Sequence, residues 1–399
     1  MASQYPQRLA LTKNSFPPPS ATNSAIIEIL NRFCLSINFP IRILGCSLRE
    51  GGNNTIILCY AVFTSSSQDT SASPISCILR TGKLRWNRQS YTDSRILETA
   101  AFHHVMGKLS PLIPLIYAWD ATCVNLLGCP YVIQPLIAGH DLQTLNSPLS
   151  YCRDAIEMRI QCAYEVARYI KHVESFRFEN YGTFAVSEQM PEKCSDPSSP
   201  LVSELIGFSP KPWIKSYFMR NDTRIGNFLF AILTAHLDRG RRPLEQEKYN
   251  LLITMGYKLN ELQISRKLEE KAEPAVLWHP DFWPRNIMME KTERDVKITG
   301  VIDWDGVMIV PRVMARRPPV FLWDEENLNM SEYERKGIKF QFDKRIEELL
   351  PGYCSDAYSD CGIMARAMAT YTLEGVNWNY CELSFDKLVE QWDCFVGNL

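Results

Sequence analysis

No apolar run in this sequence approaches the roughly 20 residues that a membrane-spanning helix requires. No membrane partner is therefore expected. No C-x-x-C pair occurs among the 13 cysteines. Their number is odd and they do not cluster with histidine, whereas a disulfide framework or a zinc site needs regular spacing. Buried free thiols in a reducing compartment follow as the expectation, the cytoplasm first and the mitochondrion as the alternative. Charge of one sign is also missing. A net charge of −2 supplies no global field to draw the chain to nucleic acid or an anionic surface. No internal repeat is visible. What remains is an ordinary globular composition, 46% apolar, 22% charged and 11% aromatic. The 399 residues allow one large domain or two lobes with a substantial core.

Residues 1–27 carry Arg8, Lys13 and several Ser and Thr, with no acid before Glu28. That composition is compatible with a transit peptide. However, Pro17-Pro18-Pro19 breaks any amphipathic helix there. Residues 1–24 are expected to form a disordered tail.

Ile26, Ile27, Leu30 and Phe33 stand at helical spacing and predict a helix over Ala25–Asn38. Strands are expected at Ile41–Leu44, Thr55–Phe63 and Ser76–Arg80, the last following a polar hairpin loop, Thr64–Pro74. A helix at Asp93–Leu109 and a buried strand at Tyr131–Leu136 come next. This order suits a small antiparallel sheet crossed by one helix. From Leu142 onward the pattern turns helical, at Ala155–Val173, Asn227–Leu237 and Glu245–Gln263, with Ser187–Pro200 as a surface loop. The predicted class is α+β and bilobal, with lobes at 25–138 and 139–399 divided at the Ile137-Ala138-Gly139 turn.

The chemistry concentrates in Trp278–Gly306. His279, Asp281 and Asn286 fit H-x-D-x-x-x-x-N. Two short strands follow, Ile287–Glu290 and Val296–Ile302, and Asp303 stands at the exit of the second. Phosphoryl transfer needs positioning and charge neutralisation more than covalent chemistry. One carboxylate must orient the attacking hydroxyl, and a second carboxylate with an amide oxygen must hold Mg²⁺, which prefers oxygen ligands. A tight loop followed by a hairpin gathers Asp281 as base with Asn286 and Asp303 as metal ligands. His279 would brace the loop. A turn histidine beside solvated carboxylates is the plain alternative.

This segment resembles the aminoglycoside phosphotransferase and choline kinase superfamily, in particular the fungal phosphotransferase-family group. The matching stretches are His279-Pro-Asp-Phe-Trp-Pro-Arg-Asn-Ile-Met and Thr299-Gly-Val-Ile-Asp-Trp-Asp-Gly. The resemblance runs from about Glu50 to about Trp323 and implies a protein-kinase-like fold. It implies that Gly51, Gly52, Asn53 and Asn54, between the first two strands, form the nucleotide loop, with glycines letting the backbone approach phosphate. An ordinary hairpin turn is the other reading of Gly51-Gly52. It implies further that Arg80 contacts nucleotide phosphates from the third strand, with Glu98 on the next helix as its ion-pair partner. The superfamily commonly has Lys at this position; Arg can bind phosphate bidentately. Cys129–Gly139 resembles the inter-lobe connection. Adenine would meet backbone groups around Gln134 and Leu136, using the Gln134 or Pro135 carbonyl and the Leu136 or Ile137 amide, since Pro135 has no N–H.

The resulting expectation is an ATP-dependent (GTP as the alternative), Mg²⁺-dependent small-molecule kinase that phosphorylates a hydroxyl group. A monomer or homodimer is expected, with no nucleic-acid partner. The alternatives are a pseudokinase that keeps the nucleotide and, less favoured, a protein kinase. Against the latter, Pro280 replaces the usual Arg, Trp304-Asp305 replaces Phe-Gly, and no A-P-E segment follows. Trp278, Trp283 and Trp304 flank the loop, and core packing is expected for at least two of them. Arg312, Arg316 and Arg317 are read as a solvated cluster.

Overall fold

A computed structural model describes residues 24–37, 41–50, 54–63, 75–82, 94–122, 127, 129–146, 155–178, 181–182, 193–194, 228, 243–266, 275–292, 295–323, 330–374 and 382–397. The expected tail up to residue 23, Gly51, Gly52 and Asn53, and the Asn227–Leu237 helix apart from Phe228 lie outside the described residues.

The N-terminal part is a six-stranded sheet, β1 (Ile41–Glu50), β2 (Asn54–Phe63), β3 (Ile75–Gly82), β5 (Tyr131–Pro135), β4 (Ala118–Asp120) and β8 (Lys193–Cys194), in the order β1-β2-β3-β5-β4-β8. All of its pairings are antiparallel. Helix α1 (Ser24–Ser36) covers one face. Its Leu30, Phe33 and Cys34 pack with Ile41, Ile43, Cys59, Cys77, Leu79 and Ile133 in a core of their own. The amide of Asn31 also reaches β1, donating to the Ile43 carbonyl (3.0 Å) and accepting from the Ile43 N–H (2.7 Å). The register slips beside this bond, where Leu44 is the extra residue of a bulge. Helix α2 (Ser94–Leu109) joins the main core instead, through Ile96, Ala100, Phe102 and Met106. The sheet therefore carries two helices where one crossing helix was expected. The helix α1 was legible, but not the face it covers.

The rest is mainly helical. Beyond short β6 (His140–Asp141) and α3 (Leu142–Asn146) runs α4 (Ala155–Glu174), whose Cys162, Val166, Tyr169 and Val173 recur at helical spacing and are buried. Helix α5 (Pro243–Arg266) precedes the strand-rich segment, which contains β9 (Ala275–Trp278), β10 (Ile287–Lys291), β11 (Val296–Val301) and β12 (Met308–Pro311). Then come α6 (Arg312–Ala315), α7 (Glu332–Leu349), α8 (Tyr353–Tyr358), α9 (Asp360–Glu374) and α10 (Phe385–Gly397). Helix α7 starts with a capping box, in which the Glu334 N–H donates to Ser331 Oγ and the Ser331 N–H donates to Glu334 Oε2. It lies along α4 and buries Ile338, Phe342 and Ile346. The strands β9, β12 and β7 (Arg177–Phe178) form one small sheet, and β11, β10 and β6 form another. No helix among the described residues is long and apolar enough to cross a membrane.

Gly139 turns the chain from β5 into β6. Its φ is +101°, and a Cβ there would collide with the Met289 carbonyl oxygen, so the turn requires glycine. Thr299, the extra residue of a bulge in β11, donates from its hydroxyl to the Ala138 carbonyl at 2.5 Å. The inter-lobe connection is thus tied to the hairpin that follows the H-x-D loop.

Candidate active site

Strand β9 delivers His279, and a single 3₁₀ turn, Pro284–Asn286, closes the loop back onto β10. His279 is 6% exposed and ties this loop to the exit of β11. Burial lowers its pKa to about 4, so the ring is neutral at physiological pH. The Asp281 N–H donates to Nδ1 (3.1 Å), which assigns the ring proton to Nε2 for donation to the Ile302 carbonyl (3.0 Å). One imidazole therefore fixes Asp281 relative to the residue preceding Asp303, the bracing role that the sequence predicted.

Asn286 is 5% exposed. Its Nδ2 donates to the Asp281 carboxylate (2.8 Å) and main-chain carbonyl (2.9 Å), which leaves Oδ1 as the acceptor atom of the amide. Its own carbonyl accepts from the Ile302 N–H (2.9 Å). Asp303 has φ +61° and is the sole described non-glycine residue in the left-handed region. Such backbone persists where the surroundings over-determine it, commonly at functional sites. Burial raises the pKa of its carboxyl, Arg80 opposes the shift, and Asp305 and Asp281 add to it.

Arg80, 9% exposed on β3, reaches across to this segment. Its guanidinium pairs with Asp305 and lies 3.4 Å from Asp303. Thr99 of α2 donates to the other Asp305 oxygen at 3.1 Å. Glu98, the expected partner of Arg80, stands half-buried beside Thr99. Asp305 was not singled out in the sequence, although its place two residues after Asp303 was a usable signal. Arg285 was missed too, and its Nη2 donates to both oxygens of Asp281.

At the inter-lobe connection, the Leu136 N–H donates to the Ser76 carbonyl (3.0 Å), extending the β3–β5 ladder by one residue. The Leu136 amide is thus already paired within the sheet, which corrects the expectation that it meets a base. Asn54 opens β2 opposite Gly82. Gln134 pairs with Ile78 and is buried.

Trp304 is fully buried and packs against His279, with ring centroids 4.5 Å apart and planes tilted by 51°. Trp278 is half-buried and Trp283 exposed. The arginine cluster divides. Arg316 is 2% exposed in a bidentate pair with Glu174, so it is not solvated as expected, whereas Arg317 is exposed.

Among the described residues no group of three or more His, Cys, Asp or Glu side chains is placed to hold a metal. The protein offers instead two hard oxygen donors, Asn286 Oδ1 and the Asp303 carboxylate. That set suits Mg²⁺, an ion bound by one or two carboxylates with phosphate and water completing its shell.

No curated protein matches significantly. Among solved structures, a Plasmodium vivax ethanolamine kinase aligns at 12% identity and TM-score 0.40, covering 87% of this chain and 81% of that one. A GDP and kanamycin complex of APH(2″)-IIIa aligns at 13% identity and TM-score 0.44, covering 92% and 98%. The GDP complex of wild-type aminoglycoside 2′-phosphotransferase-IIIa aligns at 13% identity and TM-score 0.43, covering 93% and 99%. The model of the phosphotransferase enzyme family matches residues 215–314, a narrower span than the resemblance read from the sequence. That span contains His279, Asp281, Asn286 and Asp303, so the part of the chain that carries the candidate site is similar to the phosphotransferase enzyme family.

Proposed function

We propose that the chain is a kinase that transfers the γ-phosphoryl group of ATP, with GTP as the alternative, to a hydroxyl of a small-molecule metabolite. The observation that carries this reading is the joining of Asp281, Asn286 and Asp303 through His279 and Ile302. Asp281 accepts the proton of the attacking hydroxyl. Asn286 and Asp303 would hold Mg²⁺, which neutralises charge on the phosphates when bound. Arg80 turns from Asp305 toward phosphate, and Glu98 backs it. Residues Gly51, Gly52, Asn53 and Asn54 supply the phosphate loop, and the Pro135 carbonyl with the Ile137 amide reads the base. In this reading 25–138 is the nucleotide lobe and 139–399 the catalytic and acceptor lobe.

Asp281→Asn tests the mechanism, because it keeps the shape of the side chain and removes the base. Phosphate transfer should fall by about 10² to 10⁴, while stabilisation by millimolar Mg·ATP in a thermal-shift titration persists. Unchanged turnover would sink the mechanism. A second reading, a nucleotide-binding module without transfer, draws on the pairing of Arg80 with Asp303 and Asp305. It requires the thermal shift without product for any acceptor.

A further inference from the structure

An apolar cavity of about 100 Å³ opens beside the H-x-D loop, between α4 and the segment that follows α6. Pro280, Phe282 and Trp283 line it and so flank Asp281 in the chain. Trp283 and Val320, 37% and 39% exposed, are apolar lining residues that reach solvent. Tyr169 lines it from α4 and stacks on Phe282, with ring centroids 5.3 Å apart and planes 12° from parallel. Apolar cavities on the order of 150 Å³ take up benzene. This one therefore has the scale of a single ring or a branched alkyl group.

Two features narrow what would enter. Tyr169 is 4% exposed, and its hydroxyl is a buried polar atom with no hydrogen-bond partner among the described residues. An unpaired buried hydroxyl is costly, so a ligand atom that pairs with it recovers that cost. The second feature is charge. Glu174 lines the cavity, but its carboxylate is closed by Arg316. Arg317, also lining, is exposed and has no ion pair among the described residues. No uncommitted carboxylate among the described lining residues awaits a cation.

We propose that this cavity is the acceptor subsite, built for an uncharged alcohol with an aromatic or similarly compact apolar body. The body sits against Phe282 and Phe321. A polar atom at its inner end pairs with the Tyr169 hydroxyl. The acceptor hydroxyl at its outer end is delivered past Trp283 toward Asp281. The acceptor role rests on the phosphotransferase reading; binding in the cavity does not.

Trp278 and Trp283 both line the cavity, so intrinsic fluorescence of the full chain reports occupancy without nucleotide. Tyrosol has a phenol at one end and an alcohol at the other; phenethyl alcohol lacks the phenol hydroxyl. Both should give saturable changes, with tyrosol about fivefold to tenfold tighter, the worth of one hydrogen bond. Tyr169→Phe should make the two equal by weakening tyrosol alone. Ala315→Phe, which fills the cavity, should remove both responses. Ethanolamine and kanamycin should give none. No saturable response at millimolar tyrosol, or a tyrosol preference that survives Tyr169→Phe, overturns the subsite. Tyrosol that binds but is not phosphorylated, in protein that turns over another alcohol, overturns its acceptor role. Loss of all transfer with tyrosol binding intact instead strikes the phosphotransferase reading, which Asp281→Asn and the Mg·ATP shift examine separately.

Discussion

Nη2 of Arg285 lies 2.7 Å from one carboxylate oxygen of Asp281 and 2.8 Å from the other. With Asn286 Nδ2 on Oδ2 as well, the proposed base is held in one orientation by two donors from the same 3₁₀ turn. The Arg285 side chain is 56% exposed, and an ion pair so placed contributes at most about 1 kcal/mol to stability. Arg285→Gln should therefore leave the urea midpoint nearly unchanged and lower kcat at least tenfold. Paired urea titration and steady-state kinetics check this, and a large stability loss would reassign Arg285 to the fold.

Gly139→Ala should destabilise by about 2 kcal/mol or more. A left-handed conformation costs an L-residue roughly 1–2 kcal/mol, and the added methyl meets the Met289 carbonyl. Chemical denaturation measures it.

His103 of α2 is 2% exposed, and its Nδ1 donates to the Pro114 carbonyl at 2.6 Å. Burial lowers its pKa from 6.5 to about 4, against that hydrogen bond and the nearby Asp305, with Arg80 and His279 adding to the fall. The unfolded chain therefore binds the proton more tightly than the folded one. The stability is complete above pH 6.5 and is lost as pH falls toward 4, on the order of 3 kcal/mol in full. His103→Gln should flatten this part of the stability profile between those two pH values. Urea midpoints measured at intervals across that range decide it.

Arg316 donates from Nε to Glu174 at 2.9 Å and from Nη1 to Asp356 at 3.0 Å. The Arg316 and Glu174 side chains are 3% and 7% exposed. Arg316→Met strands a buried carboxylate and should cost about 3–5 kcal/mol. Adding Glu174→Gln should restore a large share, which a double-mutant cycle measures.

The strongly periodic elements could be read from the sequence. Helix α4 and strands β2, β3, β10 and β11 stand within a residue or two of their expected limits. Strand β1 runs to Glu50, well beyond its expected end at Leu44, because the bulge at Leu44 interrupts its alternation. Strands β4, β9 and β12, of three or four residues, are too short to display a period. The local spacing of His279, Asp281 and Asn286 placed them together correctly. The partners of Arg80 are separated from it by 223 and 225 residues, and no local pattern encodes that approach. Nothing in the local pattern of α4 separates Tyr169 from its apolar neighbours, and its hydroxyl, without a hydrogen bond among the described residues, is visible only in the structure.

Strand β1 ends the sheet, and an end strand exposes backbone groups that can pair with another molecule. At Ile43 the Asn31 side chain already occupies both, one as donor and one as acceptor. The adjoining bulge bends the strand out of straight register. A second chain that approached this border would find no continuous ladder to extend, so α1 guards this edge against edge-to-edge pairing as well as covering its core.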